Sequence, residues 1–177
     1  MGLIMDRDQG GTQIPPGEKI RVKIREADLD WGEHGPQARL NLEVLTEKYR
    51  GERFTEWATL AQPRLDFVKN LRGKNYEDEK IAEILRQRGF EFKDIDEPEE
   101  AIRISDGGKM FNIAIACFDG NVDAINALDS IDDLLEALKG RTFVSLTRRC
   151  GQDDKYLGLV WDQVYTDPDA DFGDIPF

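Results

Sequence analysis

Apolar and polar residues alternate along three early stretches of the chain and two late ones, and between them the apolar spacing lengthens to a helical period. From Lys19 to Ala27, Ile20, Val22 and Ile24 fall on one face and Lys19, Arg21, Lys23 and Arg25 on the other, predicting a strand with a basic outer row. Four like charges at spacing two repel one another unless something negative compensates them, so the row is either a solvated face or a nucleic-acid contact. Asp28 to Pro36, with Trp31, Gly32, His34 and Gly35, reads as a long connection. A second strand is expected over about Gln37 to Thr46, with Leu40, Leu42 and Val44 inward and Arg39, Asn41 and Glu43 outward. Tyr49-Arg50-Gly51-Glu52 forms a turn, and Arg53 to Leu60 a third strand. On that strand Phe54, Ala58 and Leu60 share one face, and Arg53, Thr55, Trp57 and Thr59 the other. An aromatic beside an arginine suits base stacking with a phosphate contact, while a helix covering Trp57 would make it core.

After Gln62-Pro63 the period changes. Leu65 to Gly73 predicts a short helix and Tyr76 to Arg88 a longer one stopped by Gly89, both amphipathic and expected to lie on the sheet. Glu91 to Glu100 is an acidic loop. Lys109 to Phe118 fits a strand through Phe111, Ile113, Ile115 and Cys117, or a helix through Met110, Ile113, Ala114 and Cys117; helix is the reading adopted, with Gly120 beyond its end. Ser130 and Asp133 resemble a capping box opening a helix to Leu138, closed by Gly140. Two last strands follow, Arg141 to Arg149 and Tyr156 to Tyr165, joined by Gln152-Asp153-Asp154-Lys155.

Three strands, a helical block and two strands predict a mainly β protein with helical insertions. A five-stranded oligonucleotide-binding (OB) barrel requires this order, with its helix-bearing connection between strands 3 and 4. The expected organisation is a flexible N-terminus over residues 1–17, an OB domain over 18–165 with its helical insertion at about 63–140, and an acidic tail over 166–177. The tail, from Asp167 onward, holds four aspartates, two prolines and a glycine and has no period, which predicts disorder.

The net charge of −12 argues against nucleic acid until it is divided along the chain. Residues 74–106 and 117–140 each carry −5 and the tail −4, leaving the expected strands nearly neutral with local basic clusters. With no apolar run of about 18 residues, nothing is expected to span a membrane, and a cytoplasmic protein is the expectation. Cys117 and Cys150 are too few for a disulfide framework and stand at no metal-ligand spacing. No phosphate-binding glycine loop, paired metal motif or nucleophile elbow occurs, and the one histidine, His34, sits in a glycine-flanked loop. The expectation is a protein that is not an enzyme and needs no cofactor or metal.

Asp174-Ile175-Pro176-Phe177 behind spaced aspartates resembles the C-terminal tip of bacterial single-stranded-DNA-binding proteins, where the tip recruits replication, recombination and repair enzymes. Ile14-Pro15-Pro16-Gly17-Glu18-Lys19, Leu42-Glu43-Val44-Leu45 with Tyr49-Arg50-Gly51-Glu52-Arg53, and Leu138-Lys139-Gly140-Arg141-Thr142-Phe143-Val144 resemble bacteriophage proteins regarded as single-stranded-DNA-binding or replication-associated. Glu52 stands before Arg53 where those proteins often have Arg directly, and the acidic helical region matches neither group.

The resemblance implies binding of single-stranded DNA with little sequence preference, in the host cytoplasm if the chain is phage-encoded, and possible self-association. On that reading Arg21, Lys23, Arg39, Arg53, Arg148, Arg149 and Lys155 contact phosphates, and Trp31, Trp57, Phe143 and Tyr156 stack on bases. Asp171, Asp174, Ile175, Pro176 and Phe177 are then the contact for replication, recombination or repair proteins. The alternative is an adaptor of replication or recombination complexes with weak or no direct DNA binding.

Overall fold

A computed structural model of the chain describes residues 14–92 and 97–170. Five antiparallel strands form one sheet in the order β3-β2-β1-β4-β5: β1 Lys19–Gly32, β2 Gly35–Val44, β3 Arg53–Thr59, β4 Thr142–Cys150 and β5 Tyr156–Thr166. The inward positions expected of the first three strands are buried, including Ile20, Val22, Ile24, Leu40, Leu42, Val44, Phe54 and Ala58. Burying each large apolar side chain contributes about 1.5–3 kcal/mol.

Where a long connection was expected after Ala27, β1 instead runs on to Gly32 and pairs with β2 through Trp31↔Pro36 and Gly32↔Gly35. Only Glu33 and His34 turn the chain, and Gly35 has φ +83°, which a glycine adopts without steric cost. The alternation breaks because the register shifts between Ile24 and Glu26, so Arg25 and Glu26 are both exposed before Ala27 returns to the core.

Among the described residues, five α-helices lie between β3 and β4: α1 Leu65–Gly73, α2 Asp78–Gln87, α3 Lys109–Cys117, α4 Val122–Asn126 and α5 Ile131–Leu138. Ser130 Oγ accepts the Asp133 N–H at 3.1 Å, so the predicted cap of α5 forms, while the short α4, capped by Asn121, was not anticipated. α3 packs on β5, β4 and β3, and α5 on β1. α1 and α2 do not lie on the sheet as expected; Val68, Ile81, Leu85, Phe90 and Ala101 form a separate small core between them and the 3-10 turn at Pro98–Glu100. Their apolar stripes are narrow and cover each other. Backbone pairs Ala61↔Arg103 and Glu91↔Ile102 tie this unit to the end of β3.

Both ends of the sheet are anchored further out than the sequence suggests. Ile14 is fully buried, Thr147 Oγ1 donates to the Pro15 carbonyl at 2.6 Å, and the Gly17 N–H donates to the Thr147 carbonyl at 2.8 Å, which ties residues 14–17 to the sheet; the rest of the N-terminus expected to be flexible, residues 1–13, lies outside the described residues. Asp167, expected to open the mobile tail, is buried and accepts from Arg21 Nε at 2.6 Å, Thr142 Oγ1 at 2.5 Å and the Asp169 N–H at 3.0 Å. Burial pushes this carboxyl up, but the bonds from Thr142, Arg21 and Asp169 outweigh it and hold it below the usual carboxylate range.

Candidate nucleic-acid interface

β3 and β5 are the two edges of the sheet, and no backbone ladder joins them among the described residues. A carboxylate spans the gap. Glu56 lies on the inward face of β3, 5 % exposed, and its Oε2 accepts the Leu159 N–H of β5 at 2.9 Å. Its Oε1 is ion-paired to Lys109 at the start of α3. Lys109 Nζ also donates to the Trp57 carbonyl at 3.1 Å, and one turn later Asn112 Nδ2 donates to the Trp161 carbonyl at 2.8 Å. One helix therefore grips the backbone of both edge strands at the residues that carry their tryptophans.

Above this link lies a cleft of about 320 Å³ lined by Trp57, Thr59, Lys109, Arg148 and Trp161, among others. Trp57 is 41 % and Trp161 49 % exposed, so the question of whether Trp57 is core is answered by its exposure. Arg148 faces Gly158 across the β4–β5 ladder, where a Cβ would stand 3.6 Å from Arg148 Nε. Two indoles, a guanidinium and a neutralised lysine in one concave site can hold a planar ring and place a negative group beside it.

Of the residues singled out in the sequence, Trp57 and Arg148 meet in this cleft. Trp161 and Lys109 were missed, although Trp161 could have been found as an aromatic two positions beyond Leu159 on the last strand. Tyr156 is exposed two positions before Gly158 and lies against Gly151, where an added Cβ would come within 2.5 Å of its ring; Lys155 Nζ is 5.8 Å from the ring centre. Trp31 is exposed at the far end of β1 and does not line the cleft. Arg39 sits opposite Trp57 on β2, paired to Asp28 at 3.3 Å, and Arg53 lies at the other end of β3, opposite Glu43.

Phe143 cannot stack on a base: it is fully buried in the main core, because β4 is the strand between β1 and β5 and its Phe143, Ser145 and Thr147 side chains are enclosed. The basic row of β1 is largely compensated. Arg21 is bound to Asp167 and Arg25 to Glu43, whose carboxyl the Arg25 hydrogen bond holds below its usual range. Lys23 stands opposite Glu43. Arg149 Nη2 donates to the Ile14 carbonyl at 2.6 Å, a bond that pins the N-terminal segment. Asp171, Asp174, Ile175, Pro176 and Phe177 lie outside the described residues.

Among the described residues no cluster of His, Cys, Asp or Glu could hold a metal, and no helix is long and apolar enough to cross a membrane. No protein-family model matches the chain, and no significant similarity to a curated protein or a solved structure was found.

Proposed function

We propose that the protein binds single-stranded DNA without marked sequence preference, through the cleft between β3 and β5. The observation that carries this reading is the meeting of Trp57, Trp161 and Arg148 in one open concave site. Every base has a π-face, so stacking on indoles tolerates sequence, and a guanidinium beside them serves the phosphate. The strand order β3-β2-β1-β4-β5 is that of an OB barrel opened between strands 3 and 5, and the Glu56 link to Leu159 stands where such a barrel would close. A duplex keeps its bases stacked in its interior, so the cleft favours an unpaired strand.

Both tryptophans report on the site. Titration with oligo-dT at low salt should quench their fluorescence saturably, and affinity should fall with a log-log salt slope of about −0.7 per phosphate neutralised. Absence of saturable binding at low salt would favour the second reading, an adaptor of replication or recombination complexes. That reading draws support from the pairing of Arg21 with Asp167 and Arg25 with Glu43, and from the net charge of −12. In either case the acidic segment from Asp171 is the proposed contact for partner proteins, its aspartates suited to a basic surface and Phe172, Ile175 and Phe177 to an apolar one.

A further inference from the structure

A second cavity, also of about 320 Å³, opens beside the small helical core and is lined by Arg64, Phe67, Asn70, Arg88, Phe90 and Arg103 among others. Two of its three arginines, Arg88 and Arg103, lie over aromatic rings. The Arg88 guanidinium carbon lies 4.3 Å from the centre of the Phe67 ring and that of Arg103 4.8 Å from the centre of Phe90, while Arg103 Nη1 donates to the Arg88 carbonyl at 3.1 Å. The backbones beneath them are also fixed. Arg103 exchanges hydrogen bonds with Ala61, and Arg88 caps α2 with its N–H on the Leu85 carbonyl.

Acidic side chains outnumber basic ones by 36 to 24 in this chain, yet neither Arg88 nor Arg103 makes an ion pair among the described residues. One carboxylate, Asp66, also lines the cavity, but it lies 3.7 Å from Arg64 and accepts the Phe67 N–H, and nearby Glu99 is paired to Arg72. The C-terminus of α2 favours a cation at Arg88. It does nothing for Arg103, which lies on an extended segment facing Ala61. Each guanidinium covers one face of Phe67 or Phe90, and both rings pack against the small helical core, which leaves little room for a base. The site therefore reads charge, and a planar fork that cannot deprotonate suits a phosphate oxyanion.

The two cavities are continuous along the chain. Trp57, Thr59, Leu60 and Ala61 line the first and six residues between Gln62 and Asn70 the second, and the Ala61↔Arg103 bridge joins a wall of one to a wall of the other. We infer that the Arg88–Arg103 cavity is a backbone-phosphate subsite for the same single strand, engaged where the strand leaves the tryptophan cleft. This inference rests on the DNA-binding reading proposed above, and it assigns the helical unit between β3 and β4 the role of lengthening the binding path.

Oligo-dT of about four and about sixteen nucleotides, spanning the site sizes of such folds, separates the two proposals. The substitutions Arg88→Gln and Arg103→Gln, made together, remove the charges but keep a planar amide over each ring, and circular dichroism and thermal melting check the fold. The double variant should bind the short oligomer like the parent protein. It should bind the long one about tenfold more weakly at low salt, with a salt slope shallower by about 0.7 for each phosphate that the arginines no longer neutralise. Unchanged long-oligomer affinity and slope in the folded variant would overturn the subsite and leave the tryptophan cleft standing. Equal losses on both lengths would overturn it too, since the arginines would then belong to the cleft or to the fold. If the parent protein bound neither oligomer but bound inorganic phosphate in an Arg88- and Arg103-dependent way, the DNA-binding reading would fail and the cavity would be a free-phosphate site.

Discussion

Trp57 and Phe143 both sit on strands and both suggested stacking platforms, yet exposure divides them. Replacing Trp57 with Ala should weaken oligo-dT binding by about 1–3 kcal/mol and lower the melting temperature much less than a core truncation does, because the residue is 41 % exposed. Replacing Phe143 with Ala should cost about 3–5 kcal/mol of stability by emptying core volume; denaturant unfolding and binding titrations on the same two variants would check the split. The alternation of Arg53 to Leu60 placed Trp57 on the outer face correctly, since a strand with one buried face has a fixed phase. On β4 alternation does not choose the inward face, because the adjacent Phe143 and Val144 are both apolar and both end up buried. The burial of Glu56 was not legible at all: a carboxylate on an inward position reads as an error in the pattern until its partners from α3 and β5 are in view.

Those partners make Glu56 the joint of three elements. Replacing it with Ala strands Lys109, which is 17 % exposed, and removes the acceptor for the Leu159 N–H. The expected loss is about 3 kcal/mol, the lower end for breaking a buried pair because Lys109 keeps some solvent. Hydrogen exchange should then quicken at Leu159 and along α3 more than in the β1–β2 hairpin; uniform quickening would mean that the link supports the whole fold rather than the seam. The helices were legible where caps and stops are local, as at Ser130 and Gly140. Where they dock was not, because an amphipathic stripe does not name its partner, and α1 and α2 cover each other instead of the sheet. Likewise Asp28 to Trp31 looks like loop by composition, and only pairing with β2 makes it strand.

At the scale of the molecule, Asp167 fastens the end of β5 to the interior of the sheet. Its native carboxyl titrates below its unfolded value, so the stability it contributes is present above the usual aspartate pKa and is lost as pH falls through the native value. Asp167→Asn should lower stability at neutral pH and leave it nearly unchanged at pH low enough to protonate both forms, which a pH series of urea melts would reveal; a deficit that persists in acid would assign the loss to packing. Removing residues 171–177 should leave melting intact, whereas removing 167–177 should lower it and release Arg21. Because Asp167 follows β5 directly and is also fastened to Arg21 of β1 and Thr142 of β4, a pull exerted beyond residue 170 is shared between the edge strand β5 and two interior strands. Mechanically, Asp167 is a cleat at the end of β5, so tension must part its bonds to β1 and β4 before the edge strand can peel.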